Sequence, residues 1–345
     1  MKNHLISKNK SLLEALAQIN SLAPEPLVLF VMDENNCMVG TLTDGDSRRA
    51  LIAGASVNDN VEKVMHRNYN YMRVDDIQNV LKIRHQKEML MKLVPILDEN
   101  KHIVDIINLD KYKTRLPIDA VLMAGGKGER LRPLTEKTPK PLLKVGEKAI
   151  IDHNVDRLIS YGINHISVTV NYLGEQLEDH YREPHNGIQI QTVREPKFLG
   201  TIGSIRFVKE FHNDAILVMN SDLFTNVNYE DFYLHFREHD ADMSVVAIPY
   251  NVSIPFGVFN LNGRNITGLS EKPKFDYYAN AGIYLIKKTV LNFIPDNHMF
   301  HATDLIEALI ANNKRVIRFP LNGTWIDIGT PQEYQRANDM VKYMY

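Results

Sequence analysis

A mixed, mostly parallel α/β sheet with helices on both faces is what residues 116–345 predict, and three features carry that prediction. Apolar runs of strand length recur: IDAVLM from 118, ISVTVNY from 166, IQIQTV from 188, AILVMN from 215 and MSVVAIP from 243. Amphipathic stretches of helical length, IIDHNVDRLISYG and GSIRFVKEF, lie between them. Strands alternating with helices build a sheet clad on both sides. The first run also passes straight into a glycine-rich loop at Gly125. In such sheets ligands gather there, outside the carboxyl ends of the strands.

The whole chain has 345 residues, 44% of them hydrophobic and 24% charged, the composition of folded soluble domains. At about 150 residues per domain the length suits two or three. With 40 basic side chains against 42 acidic ones, it lacks the basic footprint of a dedicated nucleic-acid binder. The single cysteine, Cys37, can make no internal disulfide, which predicts a reducing, cytoplasmic setting. No apolar run approaches the ~18–20 residues of a membrane span. The start, MKNHLISKNK, turns polar too early for a secretory signal.

A charged stretch ending in proline, KYKTRLP at 111–117, marks the main boundary. Ahead of it lies a weak internal repeat, residues 1–55 and 56–115. The first copy offers the helix SLLEALAQIN with Leu12, Leu13, Leu16 and Ile19 on one face, then strand LVLFVMD, turn DENN, strand MVGTLTD and a helix starting near Asp46. The second runs through the helix DDIQNVLKIRHQKEM, strand LVPILD, turn DENK and strand IVDIINLD. Each second strand closes on a polar residue followed by an aspartate: Thr43 with Asp46, and, one residue tighter, Asn108 with Asp110.

This repeat, with DENNCMVGTLTDGDSRRAL and the VEKVM segment leading into the second copy, resembles a tandem pair of CBS domains, a Bateman module. The resemblance implies that Thr43 and Asp46 contact the ribose and phosphate of a nucleotide, with Asp110 near the same cleft. Asn108 departs from the family pattern, and Asp105 stands where glycine is usual, so no more than one complete ligand site is implied. A purine nucleotide is the implied partner, and homo-oligomers through this module are expected. A purely structural or dimerising module is the alternative reading of the same residues.

The strongest local feature is LMAGGKGERLRPLTEKTPKPLL, residues 122–143. Consecutive glycines let backbone N–H groups ring an oxyanion, and Arg130, Arg132, Lys137 and Lys140 add positive charge suited to a polyphosphate. Two common phosphate motifs do not apply. No glycine here precedes the Lys-Ser or Lys-Thr of a P-loop. The dinucleotide fingerprint needs a third glycine and an opening helix, and Pro133 supplies neither.

GGxGxRLxPLT followed by PKPLL resembles the signature of sugar-1-phosphate nucleotidyltransferases, and further matches follow in order: EPKFLGTIGS at 195–204, VMNSDLF at 218–224, PFGVF at 255–259, EKP at 271–273, NAGIYL at 280–285 and WIDIGTP at 325–331. The resemblance covers residues 117–345 and implies a Rossmann-like nucleotidyltransferase fold. Its implied reaction joins a nucleoside triphosphate to a sugar 1-phosphate with loss of pyrophosphate. Ala124, Gly125, Gly126, Gly128 and Arg130 would then hold the triphosphate, Lys140 the α-phosphate and Lys272 the sugar phosphate. Glu271, Asn280 and Gly257 would meet the sugar, while Glu195, Gly200 and Thr201 would line the nucleobase. Asp222, at the end of an apolar strand, and Asp327 are the implied Mg²⁺ ligands, an oxygen-only pair of the type that ion prefers.

The base is legible through Glu195. A carboxylate accepts at two oxygens, which matches the adjacent N1–H and N2 donors of guanine better than the single donor of uracil or thymine. ExxxLGT also resembles the guanylyltransferases of the family, including those acting on glucosamine, mannose and heptose 1-phosphates. GTP is therefore expected. A local role for Glu195, capping or pairing with Arg194 or Lys197, is the alternative. Uridylyl or thymidylyl transfer, and a silent nucleotide-sugar sensor, are the competing functions; the sensor has no need of Lys140, Lys272 and the two aspartates together. The chain runs only a short way past GTPQEYQRAND, which disfavours an appended acyltransferase domain. The 13 histidines are scattered, with no HExxH spacing; His298 and His301 are expected at the surface or near the sugar, and Trp325 in packing beside Asp327.

Overall fold

The computed structural model describes residues 2–78, 80–110, 112 and 115–342; Lys111, Lys113 and Thr114 of the boundary stretch, and Asn79 of the second-copy helix, lie outside the described residues. The chain divides into two compact units, Met1–Thr114 and Arg115–Tyr345.

The first unit holds two three-stranded sheets of one design. Leu5–Ser7 runs parallel to Val28–Met32, which turns antiparallel to Met38–Thr43. Met72–Arg73, Leu93–Leu97 and Ile103–Asn108 repeat that order, and both hairpins shift register at the matching place, Val31/Met32 and Ile96/Leu97. The repeated Asp-Glu-Asn turns have a common cause. Asp33 Oδ1 accepts from the Asn35 and Cys37 amides at 2.9 and 2.8 Å, and Asp98 Oδ1 accepts from Asn100 and His102 at the same distances; aspartate closes such turns on its own backbone. The copies join where the Met38 amide donates to the Lys101 carbonyl, 2.9 Å.

Helix Leu12–Ser21 opens on a Ser11–Glu14 capping box. It buries Leu12, Ala15 and Ile19, with Leu16 half-buried, while Leu13 is 55% exposed. The expected face containing Leu13 is thus corrected: at 100° per residue Ala15 shares the stripe with Leu12 and Ile19, and Leu13 turns away from it.

In the second unit the central sheet has the order Gln191–Arg194, His165–Val170, Ile118–Ala124, Ala215–Asn220, Lys274–Lys287, Met243–Ser253, Val316–Pro320. Only Lys274–Lys287 runs against its neighbours. The sheet is mixed and mostly parallel, as the alternating pattern predicts. IQIQTV contributes only its end, as the edge strand Gln191–Arg194.

One expected helix is not α-helical. GSIRFVKEF forms a 3₁₀ turn, Gly203–Phe207, and then an irregular segment. Ile202, Ile205, Val208 and Phe211 are all buried in the core against the sheet. Ile202 and Ile205 keep the 3.0-residue period of the turn, and Val208 and Phe211 reach the same core from the irregular segment that follows. Met243–Ser253 and Lys274–Lys287 run on beyond the sheet as a paired arm of exposed residues, next in sequence to the hairpin Val258–Asn262 with Asn265–Ser270.

Candidate active site

The parallel strands end at one edge, and the glycine loop leaves from it. After Ile118–Ala124 the chain passes through Gly125 and Gly126 to Gly128, which turns at φ +62° into the short 3₁₀ turn Glu129–Leu131. A Cβ on Gly128 would stand 3.0 Å from Thr135 and 3.1 Å from the Lys140 Cβ, and one on Gly125 would overlap Oε1 of Glu195. Both positions need glycine. Gly126 has open space above it, so a ligand can reach its backbone. The Thr135 hydroxyl donates to the Gly128 carbonyl, 2.8 Å, and holds the loop closed on itself.

The neighbouring strand, Ala215–Asn220, delivers Asp222. Ser221 donates through Oγ to the Met123 carbonyl, 2.7 Å, tying the two strand ends together. Asn154, on the helix Ile150–Ser160 and 1% exposed, donates through Nδ2 to the carbonyls of Ser221 at 3.3 Å and Leu223 at 2.8 Å. It therefore grips the backbone on both sides of Asp222. Asp327 arrives through antiparallel pairing of Trp325–Asp327 with Leu223–Thr225, in which Leu223 faces Asp327. Trp325 steadies that strand by donating from Nε1 to the Ala281 carbonyl, 2.9 Å.

Two acids remote in sequence thus share one place, and a cation sits between them. Lys140 Nζ pairs with Asp222 and lies 3.6 Å from Asp327 Oδ1. Burial, with the Asp222 charge beside it, pushes the Asp327 carboxyl above its ordinary value; Lys140 and Arg130 oppose the shift. The Arg130 guanidinium covers Gly329, where a Cβ would come within 2.7 Å of it. Glycine in WIDIG therefore makes room for the arginine.

Glu195 is 5% exposed. Its Oε2 accepts from the Leu199 amide at 2.9 Å, while Oε1 lies over Gly125. Burial pushes its carboxyl above the ordinary value, against the Leu199 hydrogen bond. Arg194 pairs instead with Glu175 and Glu178. Gly200, at φ +81°, presses on the Phe300 backbone, and the Thr201 hydroxyl accepts from the Ala302 amide at 2.9 Å, capping the helix Ala302–Ala311.

Residues 124–130, Lys140, Glu195, Gly200, Thr201 and Asp222 line one cavity of about 650 Å³. Gly257, Glu271, Lys272 and Asn280 do not line it. Gly257 and Glu271 approach each other, a Cβ on the glycine lying 3.0 Å from Glu271 Oε2. Lys272 is exposed at φ +46°. Asn280 is engaged locally, donating to the Tyr284 hydroxyl and accepting from the Gly282 amide, both at 2.9 Å.

Sequence reasoning missed Phe198, Asn220 and Asn154. Phe198 lines the cavity and is 50% exposed; a bare aromatic between Lys197 and a glycine turn was its signal. Asn220 supports Gly282, whose Cβ would come within 2.6 Å of the Asn220 amide nitrogen. Asn154 left no signal, because a lone asparagine within an amphipathic helix looks like a surface residue.

Among the described residues no group of three or more His, Cys, Asp or Glu side chains is placed to hold a metal. Asp222 and Asp327 make a two-carboxylate set, which fits Mg²⁺, an ion that commonly takes one or two carboxylates and completes its shell with water and substrate phosphate.

Residues 119–343 match the family model described as nucleotidyl transferase. The chain is 29% identical over 224 residues to the mannose-1-phosphate guanylyltransferase catalytic subunit beta of Xenopus tropicalis, covering 62% of each. It is 32% identical over 232 residues to the bifunctional protein GlmU of Methanococcus maripaludis, covering 64% of this chain and 54% of that one. The chain thus spans less than two thirds of the length of either relative. A crystal structure of a Bacillus anthracis protein, provisionally named a glucose-1-phosphate thymidylyltransferase and in complex with a sucrose, superposes with a TM-score of 0.53 and 26% identity, over 66% of this chain and 96% of that one. With the family match spanning the entire sheet and the glycine-loop cavity, this chain belongs to the nucleotidyl transferase family.

Proposed function

We propose that the chain transfers a nucleotidyl group, GMP from GTP, to a sugar 1-phosphate. The observation that carries this reading is the convergence, at one sheet edge, of an open glycine loop, Arg130 and Lys140 with the Asp222–Asp327 pair. The nucleophile is a phosphate monoester oxygen, largely ionised near neutral pH since its second pKa is about 6. It attacks the α-phosphorus; a P–O bond forms as the bond to the bridging oxygen breaks, and that electron pair leaves on pyrophosphate. No general base is needed, so the protein's work is positioning and charge neutralisation. Backbone donors of the glycine loop and Arg130 hold the β- and γ-phosphates, and Lys140 reaches the α-phosphate. Mg²⁺ held by Asp222 and Asp327 would neutralise charge on the phosphate oxygens. Lys272 and Glu271, just ahead of the arm strand Lys274–Lys287, with Gly257 and Asn280, would take the sugar phosphate and hydroxyls.

Guanine remains the favoured base, but the two-point match to Glu195 expected from sequence is corrected. Oε2 is committed to the Leu199 amide, and only Oε1, over Gly125, is left for a single base N–H, with Phe198 available to stack. The guanylyltransferase name of the Xenopus relative supports the same choice. The test is pyrophosphate release with Mg²⁺, crossing four nucleoside triphosphates with glucosamine, glucose, mannose and heptose 1-phosphates. Release confined to GTP supports the reading; release with UTP or dTTP alone keeps the reaction and removes guanine.

We also propose that residues 1–115 form a CBS pair that binds a purine nucleotide and tunes activity. A cavity of about 890 Å³ in this unit is lined by Thr43, Asn108 and Asp110. Asp46 does not line it: its carboxylate accepts from the Thr43 hydroxyl at 2.6 Å and pairs with Arg49. The ligand's contacts would then fall on Thr43 and Asp110. Calorimetric titration of the whole chain with AMP, ATP and GMP, repeated on Thr43→Val, tests this; unchanged affinity in the variant places binding elsewhere.

A further inference from the structure

Lys140 is surrounded by two demands that cannot be met together. The proposed reaction wants its ammonium on phosphate oxygens, while the structure places it on Asp222 and beside Asp327. The lysine side chain is only 12% exposed and that of Asp222 only 19%. Partly buried carboxylates left without a counter-charge are costly, and the Lys140 ammonium fills the role of a cation for this pair.

Its stem explains how it could change sides. Pro139 precedes the 3₁₀ turn Lys140–Leu142, the Leu143 amide closes that turn on the Lys140 carbonyl at 3.1 Å, and the Lys140 Cβ packs against Gly128. Backbone and Cβ are therefore fixed between the glycine loop and the acids. Only the flexible end of the four-carbon chain is free to swing, and Lys140 already lines the cavity where the triphosphate would lie.

We infer that Lys140 is a resident counter-ion that competes with the divalent cation for Asp222 and Asp327, and that the nucleotide relieves the competition by drawing the ammonium onto its phosphates. The inference rests on the proposed Mg²⁺ role of the two aspartates. It makes metal and nucleotide bind with positive coupling: each raises the affinity of the other by the same factor. A lysine suits this task because its single compact charge can be handed from one anion to another, whereas the planar arginine fork is best satisfied by staying paired.

The experiment is a Mn²⁺ titration of the full chain without nucleotide, reading free Mn²⁺ by electron paramagnetic resonance, on wild type, Lys140→Met and the double variant Asp222→Asn/Asp327→Asn. Lys140→Met keeps the stem and removes the charge; it should bind Mn²⁺ at least about tenfold more tightly than wild type, the equivalent of one 1.4 kcal/mol step. Affinity equal to or weaker than wild type in a variant with an unchanged circular-dichroism melt overturns the competition. Wild-type protein supplies a second reading: Mn²⁺ should release Lys140 and raise its acylation by acetic anhydride, mapped by mass spectrometry, and unchanged or lower labelling overturns the inference as well. The double variant separates this idea from its premise. If it binds Mn²⁺ as wild type does, the aspartates are not the metal site and the premise itself falls.

Discussion

Asp222 and Glu271 are both acids proposed for one reaction, the first for the metal and the second for the sugar, and they stand in different physical settings. Asp222 follows a buried strand, has Asn154 on the carbonyls either side of it, and carries Lys140 on its carboxylate. Glu271 is exposed beside Gly257, next to a paired arm that bares Tyr250, Phe275, Tyr277 and Tyr278. The comparison teaches where preorganisation lies. The proposed phosphate side has its groups fixed by the sheet core, whereas the proposed sugar side, on exposed segments, is not anchored in that way. Changes at the first should therefore strike the rate of chemistry, and changes at the second the affinity for sugar.

The largest expected effect is at Asp222. Asp222→Asn keeps the shape and removes a charge, and should lower kcat by about 10³-fold; steady-state rates that fall less than tenfold would remove Asp222 from the chemistry. Asn154→Leu comes next. It leaves two buried carbonyls without a donor, at about 1–3 kcal/mol each. The melting temperature should drop by several degrees, at roughly 2–4 °C per kcal/mol for a domain of this size. Activity measured well below that temperature should still fall about tenfold; a stability loss with full activity would make Asn154 purely structural.

Beside the arm, Lys272→Met should raise KM for the sugar 1-phosphate about tenfold, one ion contact's worth, with KM for GTP unchanged. A shift in the GTP value instead would move Lys272 to the nucleotide side and blur the comparison. Glu195→Gln sharpens it from within the cavity: with one acceptor left for a base N–H, rates with GTP and UTP should fall together, and a selective loss with GTP would restore a two-point contact with guanine.

The smallest effect is a pH dependence away from the site. The His180 imidazole is raised above its ordinary value by its hydrogen bond to Asp152, at 2.9 Å, against partial burial. Burial alone would raise the Asp152 carboxyl, but His180 and Tyr181 hold it below its ordinary value. Because the His180 shift is upward, its stabilisation is full below the unfolded value of about 6.5 and is lost as pH rises through the folded value. The melting-temperature gap between wild type and His180→Asn should shrink by no more than about 3 °C between about pH 6 and about pH 8. A gap that widens over that range contradicts the pairing.

Much of this was legible in the chain, for reasons that differ by residue. Gly125 and Gly128 announce themselves because no side chain fits there, and Asp222 because an apolar run ends on it. The Asp33 and Asp98 turns were readable as a repeat because each closes on itself with local hydrogen bonds. Thr43 and Asp46 show the converse. Thr-x-x-Asp fits a ligand motif, and it also has the spacing of a helix capping box, which is the use the fold makes of it at Asp44–Ile52. GSIRFVKEF reads as helical because its apolar residues at intervals of three fall within the loose i, i+3, i+4 spacing of an amphipathic helix. Asn154 could not be read at all: its value comes from the carbonyls of Ser221 and Leu223, which only the folded chain brings to it.

The most direct test of the central claim follows phosphorus. GTP labelled at the α-phosphate, and separately at the γ-phosphate, is incubated with the full chain, Mg²⁺ and mannose or glucosamine 1-phosphate. Attack at the α-phosphorus predicts α-label in a nucleotide-sugar and γ-label in pyrophosphate, both abolished in Asp222→Asn. Gamma-label released as orthophosphate, with the α-label left in GDP, would mean hydrolysis at the wrong phosphorus and would contradict the account.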